Sequence, residues 1–212
     1  EQTRQRAREL ESLAQVSSAL RHAASRAEMA PIILTELQRL FSLEAAAFIA
    51  RSSSDDLVIE HARGDWADLT GNAVAGDLIL WKQAFQAHHP ILTDPSRRLP
   101  RLTGVEAFDR YQSLACIPLV AQRGEVGVLL LARRTAFTDT DRSLMQAIAD
   151  MAANALARAT LFEQTERRLG QVQALHTIDL AINASLDLRV TLHVLIEQAV
   201  EQLGADAATI LL

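Results

Sequence analysis

Apolar residues recur at helical spacing through one long stretch of the chain. From Thr138 to about Leu186, the recurring positions are Leu144, Ile148, Met151, Ala155, Ala159, Phe162, Leu169, Val172, Leu175, Ile178 and Ile182, with a single glycine, Gly170, and no proline in the stretch. Thr138 followed by Asp141 is a capping-box start, in which the hydroxyl takes one orphan amide and the carboxylate reaches back to the cap. A helix of about 48 residues is about 70 Å long, more than a domain of this size is wide. It must leave one globular unit and enter another, or pair with a copy of itself. Glu163 to Arg168 is wholly polar and has little to bury locally, while Phe162 and Leu169 beside it fit a weak seam with a partner helix. Any bend is expected at this polar joint, with Gly170 just beyond it.

Upstream, Glu1 to about Ala24 predicts a first helix with Leu10, Leu13, Val16 and Leu20 along one side. A second covers roughly Ala27 to Phe41. Its start is open: Ser25 with Glu28 makes a capping box, yet Pro31 lacks an amide and suits a first turn. The period then shortens to that of strands. Ala45–Ser52 and Leu57–Arg63 read as a pair around Ser53–Asp56. From Gly64 to Arg110 the pattern is irregular, with a short helix over Asp77–Ala87 and a short strand over Pro90–Thr93. Ser113–Ala121 and Glu125–Arg133, turned at Gln122–Gly124, are the two strongest strands.

Residues from 163 onward match residues from 1 onward at a constant offset of 162. Glu1-Gln2-Thr3 meets Glu163-Gln164-Thr165; Leu13, Val16 and Leu20 meet Leu175, Ile178 and Ile182; Ala45 to Ile49 meets Ala207 to Leu211. The expected organisation is therefore a full module over 1–162, a connector that is also the next module's first helix over 163–186, and the start of a second module over 187–212. Leu192, Leu195, Ile196 and Ala199, with the strand expected from Ala207, should pack on another chain. The whole reads as a piece of something larger.

Composition narrows the classes. Net charge is −5 with both signs interspersed, so no phosphate backbone is tracked and nucleic acid is not an expected partner. Apolar residues make up 49% and aromatic residues 4%. No run is long enough to cross a bilayer, and no secretory leader opens the chain, so a cytoplasmic fragment without membrane contact is expected. The single cysteine, Cys116, excludes an internal disulfide and a cysteine zinc cluster. No phosphate loop, paired-carboxylate motif, nucleophile elbow or metal-binding helix is present, so no catalytic residue and no metal site is assigned.

Two amphipathic helices, a strand pair, a variable middle and the run SLACIPLVAQRGEVGVLLLARRTAFTDTDRSLMQAIADMAANALARATLFEQ resemble the GAF domain. The matching residues are Ser113–Leu119, Gly124, Gly127-Val128-Leu129, Phe137 with Asp141, and Ala149 to Leu161. The usual "NA.L" ending reads Arg158-Ala159-Thr160-Leu161 here. The resemblance implies an α+β fold, a central antiparallel sheet of five to six strands flanked by helices, with the long helix as C-terminal connector. It also implies a small-molecule pocket under the variable middle and dimerisation through the N-terminal and connector helices. Relatives serve as sensory modules of histidine kinases, cyclic-di-GMP enzymes, phosphodiesterases and transcription regulators, and some bind bilins or reduce methionine sulfoxide.

On that basis Trp66, Trp81, Phe85, Asp94, Phe108, Tyr111 and Cys116 are the candidate ligand contacts, each with a plainer alternative. The aromatics fill a core or line a cavity. Asp94 serves a turn or a ligand. Cys116 is a small buried hydrophobe or a redox or thioether group; the bilin motif is missing around it, and sulfoxide reduction needs more than one cysteine. His88-His89 close a helix rather than converge on a metal, and haem has no support. Arg97, Arg98, Arg101 and Arg110 form a solvated basic loop or a lid over an anion. Leu144, Ile148, Met151, Ala155, Phe162, Leu169 and Val172 are the candidate dimer and transmission positions. The expected function is a sensory module of a bacterial signalling protein, a sensor histidine kinase, that binds an unidentified small molecule. A ligand-free dimerising spacer is the alternative, as is an input domain of a cyclic-di-GMP enzyme or transcription regulator. No cofactor is named by these residues.

Overall fold

Ser25 settles where the second helix begins. In the computed structural model its hydroxyl accepts from the Glu28 amide at 3.2 Å, and α2 runs from Arg26 to Phe41 with Pro31 inside it rather than at its first turn. The structure describes residues 13–20, 23, 25–52, 56–74, 79–93, 106–111, 113–122, 124–184, 188–204 and 207–209. Several sequence expectations lie outside them: the first helix before Leu13, the Ser53–Asp55 turn, the start of the middle helix at Asp77, Asp94, and Arg97, Arg98 and Arg101. What is described of the first helix is α1, over 13–20.

Five strands follow the expected boundaries closely. They are β1 (Ala45–Arg51), β2 (Leu57–Gly64), β3 (Ile91–Leu92), β4 (Ser113–Ala121) and β5 (Gly124–Arg133). They form one antiparallel sheet in the order β2-β1-β5-β4-β3. Between them lie a 3-10 turn at Ala67–Leu69, α3 (Ile79–Ala87) and α4 (Glu106–Asp109). The outer side of β2 is occupied by the segment after the turn: Ile59 donates to Asn72 O, and Gly71 donates to Ile59 O at 2.7 Å. That pairing blunts one sheet edge, and β3 is only two residues long at the other.

Alternation splits the strand residues between two cores. Phe48, Ala115, Ile117, Leu119, Leu129 and Leu131 face α1, α2 and the long helix. Ala47, Ile49, Leu114, Cys116, Val128 and Leu130 face α3, α4 and the 3-10 turn. Both faces are buried, which is why β1 and β4 read as nearly continuous apolar runs rather than as alternating ones. Gly127, in the run that carried the family resemblance, is demanded by the first core. A Cβ there would lie 2.7 Å from Ile49 O and 2.7 Å from the Phe48 ring. Gly64 ends β2 at φ +65°, where a Cβ would lie 2.0 Å from Glu44 O.

The long helix is α5, Asp139–Ala184, 46 residues without interruption. Its capping box is formed as expected: Thr138 N donates to Asp141 Oδ2 at 2.8 Å and Asp141 N to Thr138 Oγ1 at 3.1 Å. Helix continues through the polar joint and through Gly170.

The chain divides into two compact units, Glu1–Thr160 and Leu161–Leu212, with α5 contributing to both. The second holds the end of α5 and a further helix, α6 (Leu188–Leu203). Ala174 is buried there, beside a groove of about 390 Å³ lined by Leu175, Ile178, Leu195 and Ala199 among others. The strand expected from Ala207 is not formed at residues 207–209, which are exposed and lack a ladder to satisfy their amides. Residues 210–212 lie outside the described ones.

Candidate functional site

Six of the seven candidate ligand contacts converge on the sheet face opposite α5. Trp66, Trp81, Phe85, Phe108 and Cys116 are buried in that core and Tyr111 packs against it. They form two groups. Trp66 leaves β2 at the 3-10 turn, its indole Nε1–H donates to Ala107 O at 3.2 Å, and its ring meets Phe108 edge-on at 4.5 Å and Tyr111 at 5.6 Å. The Tyr111 hydroxyl donates to the Asp65 carboxylate. Partial burial, then that hydrogen bond, push the phenol up to about 12. Trp81 and Phe85, one turn apart on α3, sit 5.1 Å apart.

Cys116 lies on β4 opposite Ile91. Burial pushes its thiol up to about 12 from an ordinary 9.0. The thiolate that redox and thioether chemistry need is therefore suppressed at neutral pH. The folded state holds this proton more tightly than the unfolded chain. Its stabilising share is full below the unfolded pKa and declines as pH rises from about 9 toward 12. We expect an aromatic disulfide reagent to leave the native thiol unmodified at pH 8 and to titrate one thiol per chain in urea. Fast native reaction would show the β4 face to be open.

The remaining candidates play structural parts. His88 takes the left-handed conformation at φ 57°, and its amide bonds Ala84 O at 2.9 Å, closing α3. His89 Nδ1 faces Pro90 O at 3.2 Å. Among the described residues no group of three or more His, Cys, Asp or Glu could hold a metal ion. Arg110 is solvated and pairs with Glu106 one turn earlier at 3.4 Å.

The seven transmission positions divide at the boundary between the units. Ile148 and Ala155 are buried in the first unit's own core, and Leu144 and Met151 pack against it, so these four are not free for a partner helix. The same apolar stripe that faces the sheet before Thr160 faces outward after it. Phe162 is 61% exposed, Leu169 50% and Val172 62%. Periodicity marks a stripe without saying what it covers.

Sequence reasoning passed over Arg133, the last residue of β5. Its guanidinium bonds Thr135 O at 3.0 Å, Ala136 O at 2.5 Å, Asp141 Oδ2 at 2.6 Å and Phe41 O at 3.4 Å, and lies 4.2 Å from the Phe137 ring centroid. The available signal was an arginine closing a strand five residues before a capping box.

A five-stranded antiparallel sheet in this order, helices on both faces and a long helix departing from its last strand define an α+β domain with two cores around one sheet. The chain matches the GAF domain over residues 25–158 and belongs to that family. Solved structures agree on the fold. The GAF domain of an Acinetobacter phosphoenolpyruvate-protein phosphotransferase superposes with a TM-score of 0.61 at 12% identity, covering 74% of this chain and 97% of that one. The GAF domain of a candidate sensor histidine kinase from Pseudomonas syringae pv. tomato gives 0.53 at 18%, covering 79% and 97%. The photosensory core module of a Stigmatella aurantiaca phytochrome gives 0.67 at 12%, covering 93% of this chain and 46% of that one. No curated protein matches the chain by sequence. GAF domains are thus found in sensors, a histidine kinase and a phytochrome among them. Among the described residues no helix is long and apolar enough to cross a membrane.

Proposed function

We propose that this chain is the sensory segment of a multidomain bacterial signal-transduction protein of the sensor histidine kinase type, acting in the cytoplasm. Its aromatic face takes a small molecule, and α5, paired with α5 of a second copy, carries the response. Residues from 163 onward open a second module of the same kind, as the offset-162 repeat suggests. The fragment itself performs no catalysis.

One observation carries this reading: a helix that belongs to the domain's core up to Thr160 continues unbroken for 24 residues, its apolar stripe now turned to solvent. A helix serving its own domain alone would have no reason to keep that stripe.

A thermal-shift screen over small metabolites tests the sensing half. A ligand present at 100 times its Kd should add about 2.7 kcal/mol to stability, a rise of several degrees in melting temperature. The responding signal should disappear in Trp81→Ala and persist in Leu169→Glu. The burial of Trp66, Phe108 and Cys116 supports a second reading, a dimerising spacer with a filled interior. A screen without a specific ligand would favour it.

A further inference from the structure

The sheet and α5 touch through two kinds of contact. Met145, Ile148, Ala149, Ala152, Ala153 and Leu156 lie on the sheet as an apolar layer. Such packing is non-directional, and helices slide over it by small shears. Arg133 is different. It closes the middle strand of the sheet, and its side chain, 12% exposed, holds the Asp141 carboxylate at 2.6 Å. Asp141 in turn caps the first turn of α5 through Thr138. The same guanidinium reaches the Phe41 carbonyl, where α2 ends and backbone acceptors lack helical partners. Among the described residues, α5 between Asp139 and Thr160 has no other polar side-chain bond to the sheet or to α2.

We propose that Arg133 is the positioning residue that couples the sheet to the transmission helix. β5 presents Val128 and Leu130 to the aromatic core on one face and ends in this clamp on the other. α3, with Trp81 and Phe85, packs on β4, and β4 is laddered to β5 along its whole length. A displacement that begins under α3 passes through that ladder to β5 and reaches the first turn of α5 through a planar, directional fork. It does not have to be relayed by the loop alone or by a layer that slides. This rests on the reading of α5 as the output helix, but not on any particular ligand.

The test is a double-mutant cycle read by hydrogen exchange on the full chain. Phe85→Leu perturbs the aromatic face mildly, and peptides covering 139–146 report on the start of α5. With Arg133 present, Phe85→Leu should raise exchange in those peptides about three- to tenfold. In the Arg133→Met background the same substitution should add less than twofold there. An unchanged response in Arg133→Met would overturn the coupling, as would no response with Arg133 present. A purely structural Arg133 would loosen α5 by itself yet leave the two effects additive. If Arg133→Met does not fold, Arg133→Lys keeps the charge without the fork and is judged by the same criterion. No ligand enters this experiment, so an empty thermal-shift screen would count against sensing and leave the coupling standing.

Discussion

Replacing Trp66 with alanine is expected to cost the first unit about 3–5 kcal/mol, the range for removing a large aromatic side chain from a packed core. Trp66 is 1% exposed, and it meets Phe108 and Tyr111 at edge-on geometry, so little nearby can collapse into the space. The loss has a second part. The Ala107 carbonyl that accepts from the indole would be left without that donor, and since this bond is only partly buried the penalty falls toward the low end of the about 1–3 kcal/mol for a buried acceptor. The two parts overlap in the quoted range. Urea denaturation followed by the remaining tryptophan, Trp81, measures it. Trp66→Phe should fall between wild type and Trp66→Ala, since it keeps most of the packing and loses only the bond. A cost below about 1 kcal/mol for Trp66→Ala would mean that this ring bounds an open cavity and belongs to a ligand's surroundings after all.

The second large effect concerns assembly. If α5 pairs as proposed, the wild-type chain should run as a dimer and Leu169→Glu as a monomer, with self-association weakened by at least about a hundredfold, as light scattering on a size-exclusion column would show. A monomeric wild type would overturn the pairing. Leu169 is half exposed in the single chain, and a substitution at such a site should change monomer stability by no more than about 0.5 kcal/mol. Any loss of mass is therefore an interface effect. A carboxylate pair facing itself across a parallel seam adds like-charge repulsion to lost apolar contact. Along α5, residues seven apart drift by only about 20°, so Phe162, Leu169 and His176 share one line. Ala174 and Ile178, which line the groove with α6, lie on roughly the opposite side. α6 therefore leaves the Phe162 line uncovered. A Leu169→Glu chain that stays dimeric would sink this seam and turn attention to the groove.

Local rules were enough to read most of the fold. The ends of β4 and the cap of α5 came out at the expected residues because each is decided by a few neighbours. Two hydroxyl and carboxylate side chains satisfy orphan amides, and runs of β-branched and aliphatic residues suit a sheet buried on both faces. Ser25 outweighed Pro31 for a similar reason. A cap that supplies an acceptor acts at the terminus itself, whereas Pro31 removes one intrahelical bond and strains the turn before it without ending α2.

The candidate site was legible in part. That Trp66, Trp81, Phe85, Phe108, Tyr111 and Cys116 share one face followed from the resemblance alone. That they pack against each other did not, because a stripe of aromatics looks the same along the chain whether it fills space or encloses it. Arg133 was missed because most of its bonds go to backbone carbonyls, those of Thr135, Ala136 and the distant Phe41, which leave no mark in the side-chain pattern of the sequence.

By itself, then, the sequence determined the five strands and the main helices, their order, the family and the length of α5. Those depend on period, caps and glycine positions, all short-range properties. The 3-10 turn and α4 were not read from it, and the strand it suggested from Ala207 is not formed at residues 207–209. Tertiary structure decided ownership. It assigned Leu144, Ile148, Met151 and Ala155 to the domain's own core and left Phe162, Leu169 and Val172 in solvent, although all seven lie along one side of an uninterrupted helix. A stripe records only that something must cover it; what covers each turn depends on how far the domain's core reaches, and along α5 that core ends at Ala159.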